Sequence, residues 1–251
     1  MSWAKTRKSL YIGFIVVIIA SIIGAFLWFN KPLPTCFDGK QNQDENGVDC
    51  GGVCNKVCEG DALDPIPLWF RFVEADNGIY HVLAYVQNPN IDFGAKEVGY
   101  SFKLYDEAGT VINKVTGITD IPAHRNFGIF EPSLATGSSI PVRIKFEFTT
   151  KPAWVKTPET PNRLVVLSRE LTNASTSPKL TVNIANNTLS KISNIEVIPV
   201  LYDVNKNTIS FSRTLIKDIP AENSTQAVFT WRKPITDTVT EMEILIKENV
   251  K

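Results

Sequence analysis

Two stretches decide how this chain folds: "SFKLYDEAGT", Ser101 to Thr110, and "VLYDVNKNTI", Val200 to Ile209. Each runs through β-forming residues into Leu-Tyr-Asp and then into turn-forming residues. An extended segment that must reverse direction explains the pattern, because an aspartate at its end can accept hydrogen bonds from the backbone N–H groups of the turn. In such a strand Leu and Asp share one face and Tyr takes the other. The match extends outward from these stretches. Asn88 pairs with Asn186, Leu104-Tyr105-Asp106 with Leu201-Tyr202-Asp203, and Asp120-Ile121-Pro122 with Asp218-Ile219-Pro220, at an offset of 97 or 98 residues. Three ordered matches read as the tandem duplication of one module of about 90–100 residues, the size of a small domain.

The local pattern within each copy is that of short strands. "YHVLAYVQ", "VGYSFKLYD", "RIKFEF", "KLTVNIAN", "IEVIPVLYD" and "MEILIK" are rich in β-branched and aromatic residues, and turn signals such as "NPN", "EAGT" and "VNKN" separate them. No long helical period follows Phe29. Short strands at this spacing predict two tandem immunoglobulin-like β-sandwiches, an all-β ectodomain, without the cysteine pair of antibody domains. Tyr105 and Tyr202 are expected to bury their rings and leave the hydroxyls at the edge, and Trp69, Trp154 and Trp231 to pack in the core or between domains.

The N-terminus sets the expected address. Leu10 to Phe29, "LYIGFIVVIIASIIGAFLWF", passes twenty residues without a charge. As a helix it spans about 30 Å, the thickness of a bilayer core. Lys5, Arg7 and Lys8 precede it and no acid occurs before Asp38. The positive-inside rule therefore places residues 1–9 in the cytoplasm and the C-terminal domains outside the cell membrane, with residues 10–29 in contact with lipid. The rival reading is a cleaved signal peptide, whose apolar core is normally shorter and ends in small residues rather than "FLWF".

All four cysteines, Cys36, Cys50, Cys54 and Cys58, fall in the segment that follows. Outside the cytoplasm thiols oxidise, and a segment too short to bury a core needs staples. Two disulfides are expected, in any of three connectivities. Zinc is the alternative, but the spacing C-x13-C-x3-C-x3-C lacks the two close ligand pairs of structural zinc sites and has no histidine nearby. Within the segment, "NQDENG" sets Asn42, Asp44 and Asn46 at alternate positions before Gly47. Calcium loops place oxygen ligands this way. The first position here is Asn, and Val53 stands where the bidentate Glu would be, so the pattern admits a weak calcium site or a bare solvated turn.

"CFDGKQNQDENGVDCGGVC" resembles a small cysteine-rich motif, C-x-DG-x-x-N-x-x-E-x-G-x-DCGG-x-C, found in secreted and surface proteins. Cys36, Asp38, Gly39, Asn42, Glu45, Gly47, Asp49, Cys50, Gly51, Gly52 and Cys54 match it. The resemblance implies an extracellular spacer with no catalytic role. The two copies also resemble the FxLYD-type domain, a β-sandwich module of bacterial envelope proteins. "FKLYDEAG" carries its signature, and "PVLYDVNKN" matches with Pro199 in the place of the phenylalanine. Asn88 and Asn186, and "IPA" at 121–123 and 219–221, fit as well. That resemblance implies a non-enzymatic domain whose motif residues are structural.

The expected organisation is a cytoplasmic tail (1–9), a transmembrane helix (10–29), a cysteine-rich acidic stalk (30–62), a first sandwich (63–151), a linker stiffened by Pro152, Pro158 and Pro161 (152–162), and a second sandwich (163–251). Net charge is zero, which offers no field for nucleic acid. Only His81 and His124 are present, neither beside a Ser or Cys partner, and no nucleophile elbow, zinc-protease, P-loop or dinucleotide motif occurs. The sequence therefore predicts a non-catalytic protein without a cofactor, calcium apart. Its expected role is a membrane-anchored structural or protein-binding component of the cell envelope, with an unidentified protein or cell-wall partner. The alternative is an accessory subunit of a membrane secretion or transport complex, for which Ser21, Gly24 and Ala25 offer small residues for helix packing.

Overall fold

A computed structural model describes residues 3–29, 35–157 and 163–248 of the chain. Residues 30–34 of the expected stalk, Pro158 and Pro161 of the expected linker, and residues 249–251 lie outside the described residues. The chain divides after Cys54 into two compact units.

The first unit opens with helix α1, Trp3–Phe29. From Ser9 to Phe29 it is long and apolar enough to cross a membrane, and none of that span is buried against protein. Its apolar residues surround it on every side, as expected of a helix whose solvent is lipid. The remainder, residues 35–54, has no regular secondary structure beyond one bridge between Gly47 and Cys50. Its order comes from a Cys36–Cys54 disulfide and from side chains that satisfy its backbone.

The second unit holds both modules. In the first, β1 (Ile66–Asp76), β2 (Ile79–Gln87) and β5 (Asn126–Ala135) form one sheet in the order β1-β2-β5. A second sheet has β3 (Phe93–Tyr105) between β4 (Val111–Ile121) and β6 (Arg143–Phe148). A short β7, Trp154–Lys156, continues beside β3 beyond β6. Residues 154–156, within the expected linker, thus complete the first module's sheet, and Trp154 packs on its core. The segment after Cys54 joins the same edge: Lys56 bridges to Val155, and Val57 N–H donates to the Trp154 carbonyl at 3.1 Å.

The second module repeats this topology. β8 (Leu164–Thr172), β9 (Lys179–Asn186) and β13 (Ser224–Thr230) correspond to β1, β2 and β5. β10 (Ile192–Tyr202) and β14 (Glu241–Glu248) correspond to β3 and β6. The counterpart of β4 is broken into β11 (Thr208–Phe211) and β12 (Thr214–Ile219). Pro199 accounts for the break. Its carbonyl accepts from Ser212 N–H at 3.3 Å, so its nitrogen faces the same neighbouring strand and has no hydrogen to give it. In the first module Phe102 stands there, and the β3–β4 ladder runs through it unbroken.

Each module is an immunoglobulin-like sandwich with its own core. Val82, Ala84, Phe102, Leu104, Phe127 and Ile129 lie in the first, and Leu180, Val182, Val197, Leu201 and Phe229 in the second. A third apolar cluster joins the two. Leu83, Tyr85 and Phe130, from the outer face of β1-β2-β5, pack on Ile198, Val200, Phe211 and Leu245 of the β10 sheet, with Trp69, Val73 and Tyr202 at the margin. Four sheets therefore stack in series, and the two middle ones are buried on both faces. Gly128 allows this close approach, since a Cβ there would lie 2.8 Å from Cδ1 of Ile198.

Candidate functional site

The seam between the sandwiches has a cleft on either side of the apolar cluster. The first cleft, about 660 Å³, has polar walls drawn from both modules: Tyr100 and Thr119 from one, Glu196, Arg213 and Lys247 from the other. Glu196 sits on β10, where its carboxylate takes Lys247 Nζ at 2.7 Å and Arg213 Nη1 at 3.3 Å. Arg213 occupies the gap between β11 and β12 that Pro199 creates. From there it also donates to the Phe130 carbonyl at 3.3 Å and lies 5.1 Å over the Phe130 ring. Lys247 Nζ donates to Thr119 Oγ1 at 2.9 Å. The charged groups on this wall pair with one another within the second module and reach across the seam to uncharged oxygens of the first. Deeper in the first module, Tyr100 donates to Glu131 at 2.6 Å; burial and then that carboxylate push its phenol well above the usual range.

The other side of the seam is built in the same way. Glu243 accepts from the Tyr85 hydroxyl at 2.6 Å and from the Tyr202 hydroxyl at 3.0 Å, tying the modules through one carboxylate. Burial and the Glu243 hydrogen bond push Tyr85 up to about 12. Trp69 stacks on Tyr85 with ring centroids 5.1 Å apart. A second cleft of about 720 Å³ lies where Asp76 meets Arg232 at 2.9 Å and Glu74 meets Lys233 at 2.6 Å. His81 lines it, its Nδ1 accepting from Ser133 N–H at 3.1 Å, and burial lowers its pKa so that the ring is neutral. Among the described residues no hydroxyl or thiol is hydrogen-bonded to His81. Exposed His124 has a left-handed backbone in the turn after Pro122.

The expected site residues of the cysteine-rich segment have traceable positions. Cys36 pairs with Cys54, Cys50 and Cys58 are also disulfide-bonded, and no cysteine is free. Asn42 turns its Nδ2 to Asp38 at 3.0 Å, while its buried Oδ1 has no hydrogen-bond partner among the described residues. Asp44 and Asn46 expose their side chains. The remaining motif residues brace the loop. Asp49 accepts from the N–H groups of Asp38 and Gly39, Asp38 from those of Thr35 and Lys40, and Glu45 from that of Asn42. Glu45 is buried, with Oε1 3.0 Å from Sγ of Cys54. Cys36, Glu45 and Cys54 thus bring metal-ligand atom types within 4.8 Å of one another. Both sulfurs are committed to the disulfide and carry no thiolate, so the trio offers a metal one carboxylate. Gly52 has φ +50°, and a Cβ there would lie 1.8 Å from the Asp44 carbonyl oxygen.

The duplicated residues also have structural tasks. Asp106 accepts from Thr110 N–H at 2.7 Å, and Asp203 from Asn205 and Asn207 N–H at 2.8 Å. Asn88 Nδ2 donates to the carbonyls of Phe93 and Pro122, and Asn186 Nδ2 to those of Ser190, Ile219 and Pro220. The repeated Asn and the repeated Ile-Pro are therefore two ends of one tether. Sequence reading named none of the seam's charged residues. Their neighbours carry the available signal: "HVLAYV" and "VIPVLY" are nearly continuous apolar runs, which mark strands covered on both faces. No protein-family model matches the chain, and no curated protein matches it in sequence.

Proposed function

We propose that this chain is a single-pass, membrane-anchored, non-catalytic protein of the cell envelope. Residues 1–9 are cytoplasmic, and the two sandwiches face outward as one rigid structural or protein-binding body. The observation that carries the reading is the run from Ser9 to Phe29, apolar and unburied throughout its length, followed by a segment in which every cysteine is disulfide-bonded. Lys5, Arg7 and Lys8 set the orientation. The sandwiches are read as FxLYD-type modules: Phe102 and Leu104 fill the core while Asp106 closes the turn. The cysteine-rich segment is read as a stapled spacer between anchor and modules.

Protease added to intact cells that express the chain tests the orientation. Digestion of the sandwiches with survival of a short N-terminal fragment is expected; protection of the C-terminal modules overturns it. Capture of partners by the full chain, compared with a chain whose helix is replaced by an unrelated anchor, tests the role. Partners retained on the replaced anchor support a surface-binding protein. Partners lost with the native helix support a subunit of a membrane complex.

A further inference from the structure

The outer face of the β4-β3-β6 sheet carries a row of like charge that the fold does not require. Lys114, Lys103 and Lys145 are direct cross-strand neighbours, with Lys103 opposite Lys114 on one side and Lys145 on the other. Side chains so placed lie about 5 Å apart, and like charges there destabilise a sheet. Glu147, one step along, binds Lys103 and Lys145 at 2.7 Å each, and Lys114 has no carboxylate partner among the described residues. Arg143 lies on the same face, its guanidinium 4.2 Å over the Tyr105 ring. Between these groups Ser101 is 1% exposed, and its hydroxyl has no partner among the described residues. The duplicate supplies an internal comparison. By strand register, Lys103, Lys114 and Lys145 correspond to Val200, Phe211 and Glu243 of the second module. A face that needed only solubility would interleave signs at lower cost.

We propose that this face is a docking surface for a linear polymer that carries a phosphate on each repeating unit. The lysines follow one another across three strands, so they match successive charges on a chain better than one small anion. Lysine ammonium groups suit phosphate as point charges. The inference does not depend on the membrane orientation.

The test is binding of inorganic polyphosphate to the full chain in neutral detergent micelles, measured by calorimetry at low and moderate salt. Binding that weakens with salt is expected. Lys114→Glu should weaken it about 25-fold, at roughly fivefold for each of the two unit charges removed. Lys179→Glu makes the same change of net charge at an exposed position on a different sheet and should leave binding unchanged. Thermal unfolding followed by circular dichroism checks that both variants fold. Equal weakening by the two variants, no binding by the unsubstituted chain, or binding to anionic vesicles without binding to polyphosphate would each overturn the proposal.

Discussion

The seam makes the two modules one thermodynamic body, and Ile198→Asp is the substitution that tests it. Ile198 is 1% exposed and sits mid-strand on β10, against Leu83 and Gly128 of the first module. The seam buries seven side chains: Leu83, Tyr85, Phe130, Ile198, Val200, Phe211 and Leu245. At about 1.5–3 kcal/mol for each fully buried apolar side chain, this contributes roughly 10–20 kcal/mol to holding the modules together. A single domain of this size is itself stable by only about 5–15 kcal/mol. Neither module should therefore unfold while the other stays folded, and calorimetry of the full chain in detergent should show one transition. The cluster around 198 is apolar, and an unpaired buried charge costs several kcal/mol. That is less than the coupling, so the modules should stay joined and the whole body should lose stability. A loss of about 3 kcal/mol lowers the melting temperature of a cooperative body of this size by roughly 6–12 °C. The expected result is a single transition shifted down by that amount. Val228→Asp, at the exposed position equivalent to Phe130 in the second module, should leave the transition in place. Two transitions in the unsubstituted chain, or an unchanged single transition in Ile198→Asp, would refute the reasoning.

Three further outcomes are expected. Gly52→Ala sets a Cβ against the Asp44 carbonyl and should prevent correct closure of the cysteine-rich segment, so thiol titration after oxidative folding should find free cysteine, with the cysteine-free sandwiches still folded. Asn186→Ala strands three backbone carbonyls and should lower stability in urea by about 2–4 kcal/mol, whereas alanine at the exposed Asn187 should cost less than about 0.5 kcal/mol. Tyr85 has a raised pKa in the fold, so the neutral phenol is the folded form. Its contribution is complete below pH 10 and is lost as pH climbs toward about 12, which ultraviolet titration of folded and urea-unfolded protein will show as a late-ionising tyrosine present only in the fold.

What the sequence disclosed depended on whether the signal was local. Strand patterns, the Leu-Tyr-Asp turns and the paired Asn and Ile-Pro are local and repeat at a fixed offset, so the double sandwich follows from them. The cysteine-rich motif disclosed its staples but not their pairing, because connectivity depends on where the loop returns. Arg213 was illegible for a different reason. Its position follows from Pro199, fourteen residues earlier on the neighbouring strand, and its task concerns Phe130 of the other module. The seam as a whole needs the relation between modules, which no periodicity within one module encodes. The unalternating runs of β2 and β10 say that both faces are covered without naming the cover.

The same relation explains why the two modules meet through one particular pair of faces. Each sandwich has two outer faces, and these are equivalent between the modules by strand register. In the first module the β1-β2-β5 face is apolar, with Leu83, Tyr85 and Phe130 around Gly128. The register of the second module puts Thr181, Asn183, Val228 and Gln226 at those positions. In the second module the β10 sheet carries Ile198, Val200, Phe211 and Leu245, where the first has Ser101, Lys103, Lys114 and Glu147. Each copy has thus kept one adhesive face and made the other polar, in opposite senses. Thr181 and Asn183 on one outer face and the lysine row on the other both oppose burial. The adhesive pair is satisfied within the chain. The face of Thr181 and Asn183 balances its signs, with Glu170 opposite Thr181 and Lys179 two residues along. On the lysine face Lys103, Lys114, Lys145 and Arg143 share Glu147. That surplus of one sign is what marks the face as a surface for a partner.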